Sequence, residues 1–112
     1  RGLGDVYKRQ QFNERWLHFC SAECGYDRET LEAIGMKLAE LNARIANDVN
    51  LGRDYGVGHS FVTPRKSSKP LSGDETRKWF DAIIDTDLAP LLREYWYDQP
   101  DVLEDALREL RA

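Results

Sequence analysis

Apolar side chains recur at steps of three and four residues along most of the chain, which is the spacing of one face of an α-helix. The clearest stretch predicts one long helix from Asp27 to about Val49, because Asp27 is a good N-cap residue. A stripe from Phe12 to Cys24 predicts a preceding helix that Gly25 ends, since glycine tolerates the left-handed conformation found at helix C-termini. The apolar positions of the long helix are Leu31, Ile34, Leu38, Leu41, Ile45 and Val49.

The second half of the chain carries two further helical patterns. Ser72 and Glu75 fit a capping box at the start of the first pattern. Pro90 lies inside this pattern and predicts a break or kink near Asp87, which is a candidate cap for the second piece. Pro100 marks the start of a last short amphipathic helix. The apolar stripe of the first pattern consists of Trp79, Phe80, Ile83, Ile84, Leu88, Leu91, Leu92 and Tyr95.

A glycine-rich elbow joins the two helical halves. Residues 50–58 include three glycines and predict turns. Residues 61–63 are predicted to be extended, because Val and Thr favour strands and the following proline restricts the residue before it. Residues 65–70 predict a polar, basic and flexible loop. The predicted fold is therefore mainly α: a small bundle of four or five helices, with a Gly-rich elbow and a short extended segment near 57–63.

The length and charge of the chain limit what it can be. Its 112 residues suffice for one small domain. Residues 1–10 resemble sequencing-adaptor read-through, so we treat them as a non-native leader and residues 11–112 as one helical domain of a larger chain. Those ten residues hold three basic and one acidic side chain and the whole chain has net charge −4, which leaves −6 on the remainder. An acidic domain is a poor candidate for binding nucleic acid by itself, because phosphate contacts need clustered positive charge.

Several kinds of site are missing from the sequence. No apolar run approaches the ~18 residues of a membrane span. A chain with only two cysteines is expected in a reduced, cytoplasmic setting. The sequence contains no phosphate-binding loop, no G-x-G-x-x-G, no nucleophile elbow and no H-E-x-x-H pair. We therefore expect the chain alone to have no catalytic residues.

A metal site is one candidate among the remaining residues. Cys20 and Cys24 lie one helical turn apart, and His18 is a third potential zinc ligand. However, structural zinc needs four ligands, and on a helix His18 points about 160° away from Cys20. Burial of both cysteines as small apolar residues is the favoured interpretation.

Two further groups are candidates for function. An aromatic cluster could stack bases, but the charge around it is acidic and most of its rings fall on the apolar face, which favours the core or a subunit contact. Three aspartates could do acid–base chemistry, but they lie mostly opposite the apolar stripe, which favours a solvated helix face. The aromatic cluster is Trp79, Phe80, Tyr95, Trp96 and Tyr97, and the aspartates are Asp81, Asp85 and Asp87.

The elbow contains the most specific candidate, Gly56-Val57-Gly58-His59-Ser60-Phe61. The glycines allow close backbone approach, and His59 and Ser60 offer donors that could meet an anion such as a phosphate. Alternatively, Ser60 caps its own backbone in an ordinary turn and His59 is partly buried. Local physics alone favours the ordinary turn.

Two motifs in a fixed order resemble a known family. One contains Leu41-Asn42, Ile45, Asp48, Leu51-Gly52 and Gly58-His59-Ser60-Phe61, and the other contains Trp79, Ile83, Leu88-Ala89-Pro90-Leu91-Leu92, Glu94-Tyr95-Trp96 and Asp98. Together they resemble the C-terminal lid of McrB-type AAA+ proteins, the GTP-hydrolysing motor subunits of modification-dependent restriction systems. The resemblance extends from about Phe12 to Leu110.

The resemblance implies a lid that follows a large α/β subdomain of the same chain, closes over GTP or ATP with Mg²⁺, and contacts neighbouring subunits of a ring. It implies a McrC-like nuclease subunit as a partner, with DNA bound only by other parts of the parent protein. Gly58, His59 and Ser60 are then the nucleotide-binding residues, as hydrogen-bond donors rather than bases. The motif departs from many AAA+ lids, because no arginine occupies it and Arg53 and Arg65 only flank it. The alternative is a free-standing helical protein-interaction module with no nucleotide role.

Overall fold

The computed structural model describes residues 12–112, so the leader-like residues 1–10 lie outside it. The described residues form five α-helices and no strand, which confirms the predicted mainly α bundle. Helix α1 continues into a π-helical turn, a second π-helical turn joins α3 to α4, and two 3₁₀ turns follow α2. The bounds are α1 Glu14–His18 with the π turn Phe19–Glu23, α2 Arg28–Asn47, the 3₁₀ turns Arg53–Tyr55 and His59–Val62, α3 Gly73–Ile83, the π turn Ile84–Leu88, α4 Ala89–Tyr95, and α5 Pro100–Arg111.

The predicted starts and stops of the first two helices are largely confirmed. Gly25 has φ +88° and ends the first helical segment. The Asp27 carboxylate accepts hydrogen bonds from the Thr30 backbone N–H at 3.0 Å and from its hydroxyl at 2.7 Å, which caps α2. Helix α2 ends at Asn47, two residues before the predicted end, and Val49 is 96% exposed rather than part of the buried face. The chain leaves the helix at Asp48, whose backbone is extended.

Helix α3 begins with the predicted capping box, in which Ser72 and Glu75 exchange hydrogen bonds of 2.9 and 3.1 Å. At the position of the predicted break or kink near Asp87, the helix does not break but widens into a π turn, closed by a hydrogen bond from Ala89 N–H to the Ile84 carbonyl. The wider turn lets the chain stay helical through the proline. The prediction that Asp87 caps α4 is wrong. The backbone stays helical through this position, and Asp87 lies inside the π turn rather than ahead of a new helix.

The predicted extended segment near 57–63 is also only partly correct. Gly58 and Thr63 have extended backbone, but the four residues His59–Val62 form a 3₁₀ turn. The Phe61 N–H donates to the Gly58 carbonyl at 3.1 Å, and the Thr63 hydroxyl donates to the His59 carbonyl at 2.5 Å. In an extended segment these groups would bond only to water, because the described chain offers no strand to pair with.

The core is centred on α2, which packs against α1, α3 and α5. Its apolar face is buried as predicted except at Val49, and the stripes of α3 and α4 close over it. Helix α1 packs directly on Gly35 of α2, where a β-carbon would lie 3.4 Å from the Trp16 ring, in ordinary van der Waals contact. No helix within residues 12–112 is both long and apolar enough to cross a membrane. The core includes Leu31, Ile34, Leu38, Leu41, Ile45, Phe80, Ile84, Leu88, Leu92 and Trp96.

Candidate functional site

The second part of the glycine-rich segment, residues 56–64, is called the elbow from here on, and it is fixed at its start by a buried side chain of α2. The Asn42 amide group donates to the Val57 carbonyl at 2.9 Å, and its carbonyl oxygen accepts from the Val57 N–H at 2.6 Å. Asn42 is 3% exposed and Val57 is 1% exposed. One side chain therefore satisfies both backbone groups of a residue that is buried away from water, as an adjacent strand would do.

The far end of the elbow is fixed by α1 and the π turn after it. The Trp16 indole N–H donates to the Val62 carbonyl at 3.0 Å. The Cys24 thiol lies 3.6 Å from the Pro64 carbonyl, a weaker contact of the same kind. The elbow is thus attached to the core at Val57, Val62 and Pro64.

Between these attachments, the predicted nucleotide-binding residues lie on one surface turn. Gly58 precedes the turn, and His59 and Ser60 are both exposed at its start. The ordinary turn of the alternative is present as the 3₁₀ turn His59–Val62, but His59 is exposed rather than partly buried. The role of Gly58, His59 and Ser60 in binding nucleotide stays a prediction.

The elbow and the loop that follows it, residues 56–70, carry three positive side chains and no carboxylate, unlike the acidic chain as a whole. Residues 56–61 contain no carboxylate side chain. A basic loop follows at residues 65–70, in which Arg65, Lys66 and Lys69 are exposed. None of the three forms an ion pair with another residue of the described range 12–112. The loop is attached to the first helical segment, because Ser67 N–H donates to the Cys24 carbonyl at 2.8 Å. An anion would be favoured here over a metal ion.

The candidate zinc ligands are not arranged as a metal site. Cys20 and Cys24 are both buried, whereas His18 is exposed. Burial raises the pKa of the Cys20 thiol to about 12 and also raises the pKa of Cys24, so both stay neutral thiols. Within residues 12–112 no group of three His, Cys, Asp or Glu side chains is placed to hold a metal ion. The favoured prediction of two buried core cysteines is confirmed.

The aromatic cluster divides between core and surface. Phe80 and Trp96 are fully buried, so they are unavailable for stacking on bases or for a partner surface. The Trp96 indole N–H donates to the Asp48 carboxylate at 2.8 Å, which lowers the pKa of Asp48. The Tyr95 hydroxyl donates to the Tyr55 carbonyl at 2.9 Å, while Tyr97 is 81% exposed.

These tyrosines border an open groove of about 520 Å³, here called the tyrosine groove. Its walls come from the turn after α2 and from the C-terminal end of α4. It adjoins the elbow in the chain, because Tyr55 directly precedes Gly56, but it has no lining residue in common with residues 56–64. The groove is lined chiefly by Tyr55, Tyr95 and Tyr97 together with the carboxylates of Glu94 and Asp98.

The three aspartates of α3 and the π turn form a solvated face, as favoured from the sequence. Asp81 pairs with Arg77 at 3.0 Å, and Asp85 pairs with Arg111 at 3.1 Å. These are partly exposed ion pairs between helices or along one helix, so Asp81 and Asp85 are already committed to structural contacts. They offer no paired carboxylates for acid–base chemistry.

Sequence reasoning missed the residues that attach the elbow. Asn42 is a polar residue between Leu41 and Ile45 on the apolar face of α2, and a buried amide there requires partners. Trp16 carries an N–H that a buried indole must also satisfy. These signals indicate that a partner exists, but not that the partner is the elbow backbone.

Comparison with known proteins agrees with this arrangement. Residues 33–104, well over half of the chain, match the family model described as McrB, alpha-helical lid domain. The chain is also 34% identical over 71 residues to the Type IV methyl-directed restriction enzyme EcoKMcrB subunit of Escherichia coli strain K12. That match covers 62% of this chain but only 15% of the relative. No solved structure matches significantly. The chain therefore belongs to the McrB α-helical lid domain family.

Proposed function

We propose that the chain is the lid of a nucleotide-driven AAA+ motor subunit in a cytoplasmic McrBC-like restriction system. In this role it covers bound GTP or ATP and contacts neighbouring subunits of a ring. The observation that carries the proposal is the surface turn with His59 and Ser60, which is fixed to the core on both sides by buried hydrogen bonds. A turn of this kind can present donors to a ligand from a fixed position.

Fixing the turn in advance favours binding. Donors on a free loop would lose conformational entropy when they met a ligand, and this loss weakens affinity. Here Asn42 and Trp16 have already fixed the backbone on either side of the turn. His59 and Ser60 can therefore donate to a phosphate or to the sugar at little further cost in ordering.

The chemistry of the elbow fits a phosphate rather than a metal ion. Residues 56–61 carry donors and no carboxylate, and the basic loop at 65–70 adds positive charge. Mg²⁺ prefers carboxylate and phosphate oxygens, so it would be held by the nucleotide and by the large subdomain of the parent. The nucleotide then supplies the phosphate chemistry, while His59 and Ser60 bind and orient it and take no proton.

The hydrogen bonds that attach the elbow also couple a change of the bound nucleotide to movement of the lid. Because Asn42 is part of α2, a displacement of the elbow is passed directly to the central helix of the lid. The lid then turns as one body against the large subdomain. In the proposed assembly this movement reaches the neighbouring subunits and a McrC-like nuclease subunit, and DNA is bound by other parts of the parent.

The test uses His59→Ala and Ser60→Ala in the intact parent protein, with nucleotide affinity and turnover as the measurements. A hydrogen bond to a charged ligand contributes about 1.5–3 kcal/mol, so we expect each change to weaken binding by about tenfold or more. His18→Ala is the matched control, because His18 is equally exposed but lies on α1 away from the elbow.

Unchanged kinetics in both elbow variants would remove His59 and Ser60 from the nucleotide site. The lid assignment itself has a separate test, the reading frame that encodes the parent. We expect that frame to encode a phosphate loop and an acidic magnesium motif ahead of these residues. A parent gene with neither would overturn the motor proposal.

A further inference from the structure

We propose that the tyrosine groove binds an arginine side chain carried by a partner protein. This surface shares no residue with the elbow, so the inference does not depend on the nucleotide role. The groove combines three features that an arginine needs: aromatic walls, carboxylates at the rim and a fixed shape.

The shape of the groove is fixed by contacts between its two walls. The Tyr95 hydroxyl donates to the Tyr55 carbonyl across the groove, and the two rings meet edge to face with centroids 5.5 Å apart. Beneath them, the Trp96 indole N–H donates to the Asp48 carboxylate. The turn after α2 and the end of α4 therefore hold one relative position, and a ligand finds the groove already formed.

Several of the exposed large hydrophobic side chains lie at the tyrosine groove or just before it in the chain. Of the six large hydrophobic side chains that are exposed within residues 12–112, Tyr55 and Tyr97 line the groove and Val49 precedes it. Exposed aromatic rings beside a polar rim are typical of protein interaction sites, where tyrosine is often an energetic hot spot. The groove is therefore suited to a protein partner.

The electrostatics of the groove favour a cation. Glu94 and Asp98 supply two carboxylates. Helix α2 ends just before the groove and helix α4 ends within it, and each helix C-terminus carries partial negative charge. Arg53 and Arg93 are the nearest basic residues in the sequence, and neither lines the groove.

Among cations, arginine fits this combination better than lysine. Its planar guanidinium can stack on a tyrosine ring while donating paired hydrogen bonds to a carboxylate. The lysine ammonium is more strongly hydrated and makes only a point contact. We therefore expect the groove to bind arginine more tightly than lysine. General attraction to an acidic surface would bind both side chains alike.

The experiment is an NMR titration of the ¹⁵N-labelled 112-residue chain with N-acetyl-arginine amide. N-acetyl-lysine amide and N-acetyl-citrulline amide are the matched probes, because citrulline keeps the planar shape and lacks the charge. We expect saturable shifts at the amides of Leu51 and Tyr97 and at the Trp96 indole. Arginine should bind at least threefold more tightly than lysine, and citrulline should give no saturable shift.

Variants assign the binding to the groove. Tyr97 is highly exposed, so Tyr97→Leu should fold normally and weaken arginine binding at least threefold, whereas Tyr97→Phe keeps the ring and should retain it. Glu94→Gln with Asp98→Asn should abolish binding, and Glu104→Gln on α5 is the control for loss of an exposed carboxylate elsewhere. Equal shifts with citrulline, or shifts unaffected by these groove variants, would overturn the proposal.

A second copy of the chain is the other conceivable source of the arginine. The same spectra recorded on dilution of the chain without any probe test this source. Concentration-dependent shifts at the groove would assign the groove to self-association and overturn binding of a separate partner. Spectra that are independent of concentration, together with arginine binding, support the proposal.

Discussion

The elbow and helix α5 are attached to the same core by different kinds of polar contact. The elbow depends on a few neutral hydrogen bonds from buried side chains, above all the pair between Asn42 and Val57. Helix α5 has more polar contacts, but they are exposed, such as the ion pair between Arg44 and Glu109 at 3.2 Å. Buried partners have no water to replace them, whereas exposed ion pairs do. The few buried hydrogen bonds of the elbow should therefore contribute more to the free energy of unfolding than the more numerous exposed contacts of α5.

Removal of the Asn42 side chain should have the largest effect. Asn42→Ala leaves the N–H and carbonyl of Val57 buried without partners, and each such group costs about 1–3 kcal/mol. We expect a loss of about 3 kcal/mol in the free energy of unfolding, measured by urea denaturation of the chain. Asn47→Ala is the control, because Asn47 is exposed at the end of the same helix. Equal losses in the two variants would contradict the anchoring role.

The half-buried carboxylate of Asp48, which accepts the Trp96 indole hydrogen bond, should make an intermediate contribution to stability that depends on pH. The hydrogen bond from the Trp96 indole and one from the Asn50 backbone lower the pKa of Asp48 in the folded chain. The ionised form is therefore favoured by folding, so its stabilisation is present above the ordinary pKa of about 3.9 and is lost as pH falls through the lower folded value.

The measurement for Asp48 is thermal unfolding of the wild type and Asp48→Asn from neutral pH down to about pH 2. The wild type should be the more stable protein near neutral pH, and the difference should shrink as the pH falls below about 4. Asp27 and Glu75 also have lowered pKa values, but they titrate alike in both proteins and cancel in the comparison. A difference that does not change with pH would contradict the assignment to the Asp48 charge.

The fold could be predicted from the sequence mainly where its contacts are local. Local rules placed the Asp27 cap, the end at Gly25 and the Ser72–Glu75 box, because each depends on residues close together in the chain. The π turn before Pro90 could not be predicted, since a proline inside a helical pattern is compatible with a break, a kink or a widened turn.

The candidate site shows the same division between local and distant contacts. The Gly58-His59-Ser60 turn was identified from its residues and from the family resemblance. The contact that fixes it joins Asn42 to Val57, 15 residues away, and the one from Trp16 to Val62 joins residues 46 positions apart. Such pairings depend on how the helices pack, which periodicity alone does not determine.

The smallest effect is expected at helix α5. Glu109→Gln removes the charge that Arg44 contacts, but both side chains are partly exposed to water and salt. Exposed pairs typically contribute 0–1 kcal/mol, so the free energy of unfolding should fall by less than about 1 kcal/mol. Burial of Ala106 and Leu110 should keep α5 in place. Urea denaturation at low and high salt is the measurement, with Glu104→Gln as the control for charge alone. A loss as large as that of Asn42→Ala would reverse the comparison, because exposed ion pairs would then contribute as much as the buried amide.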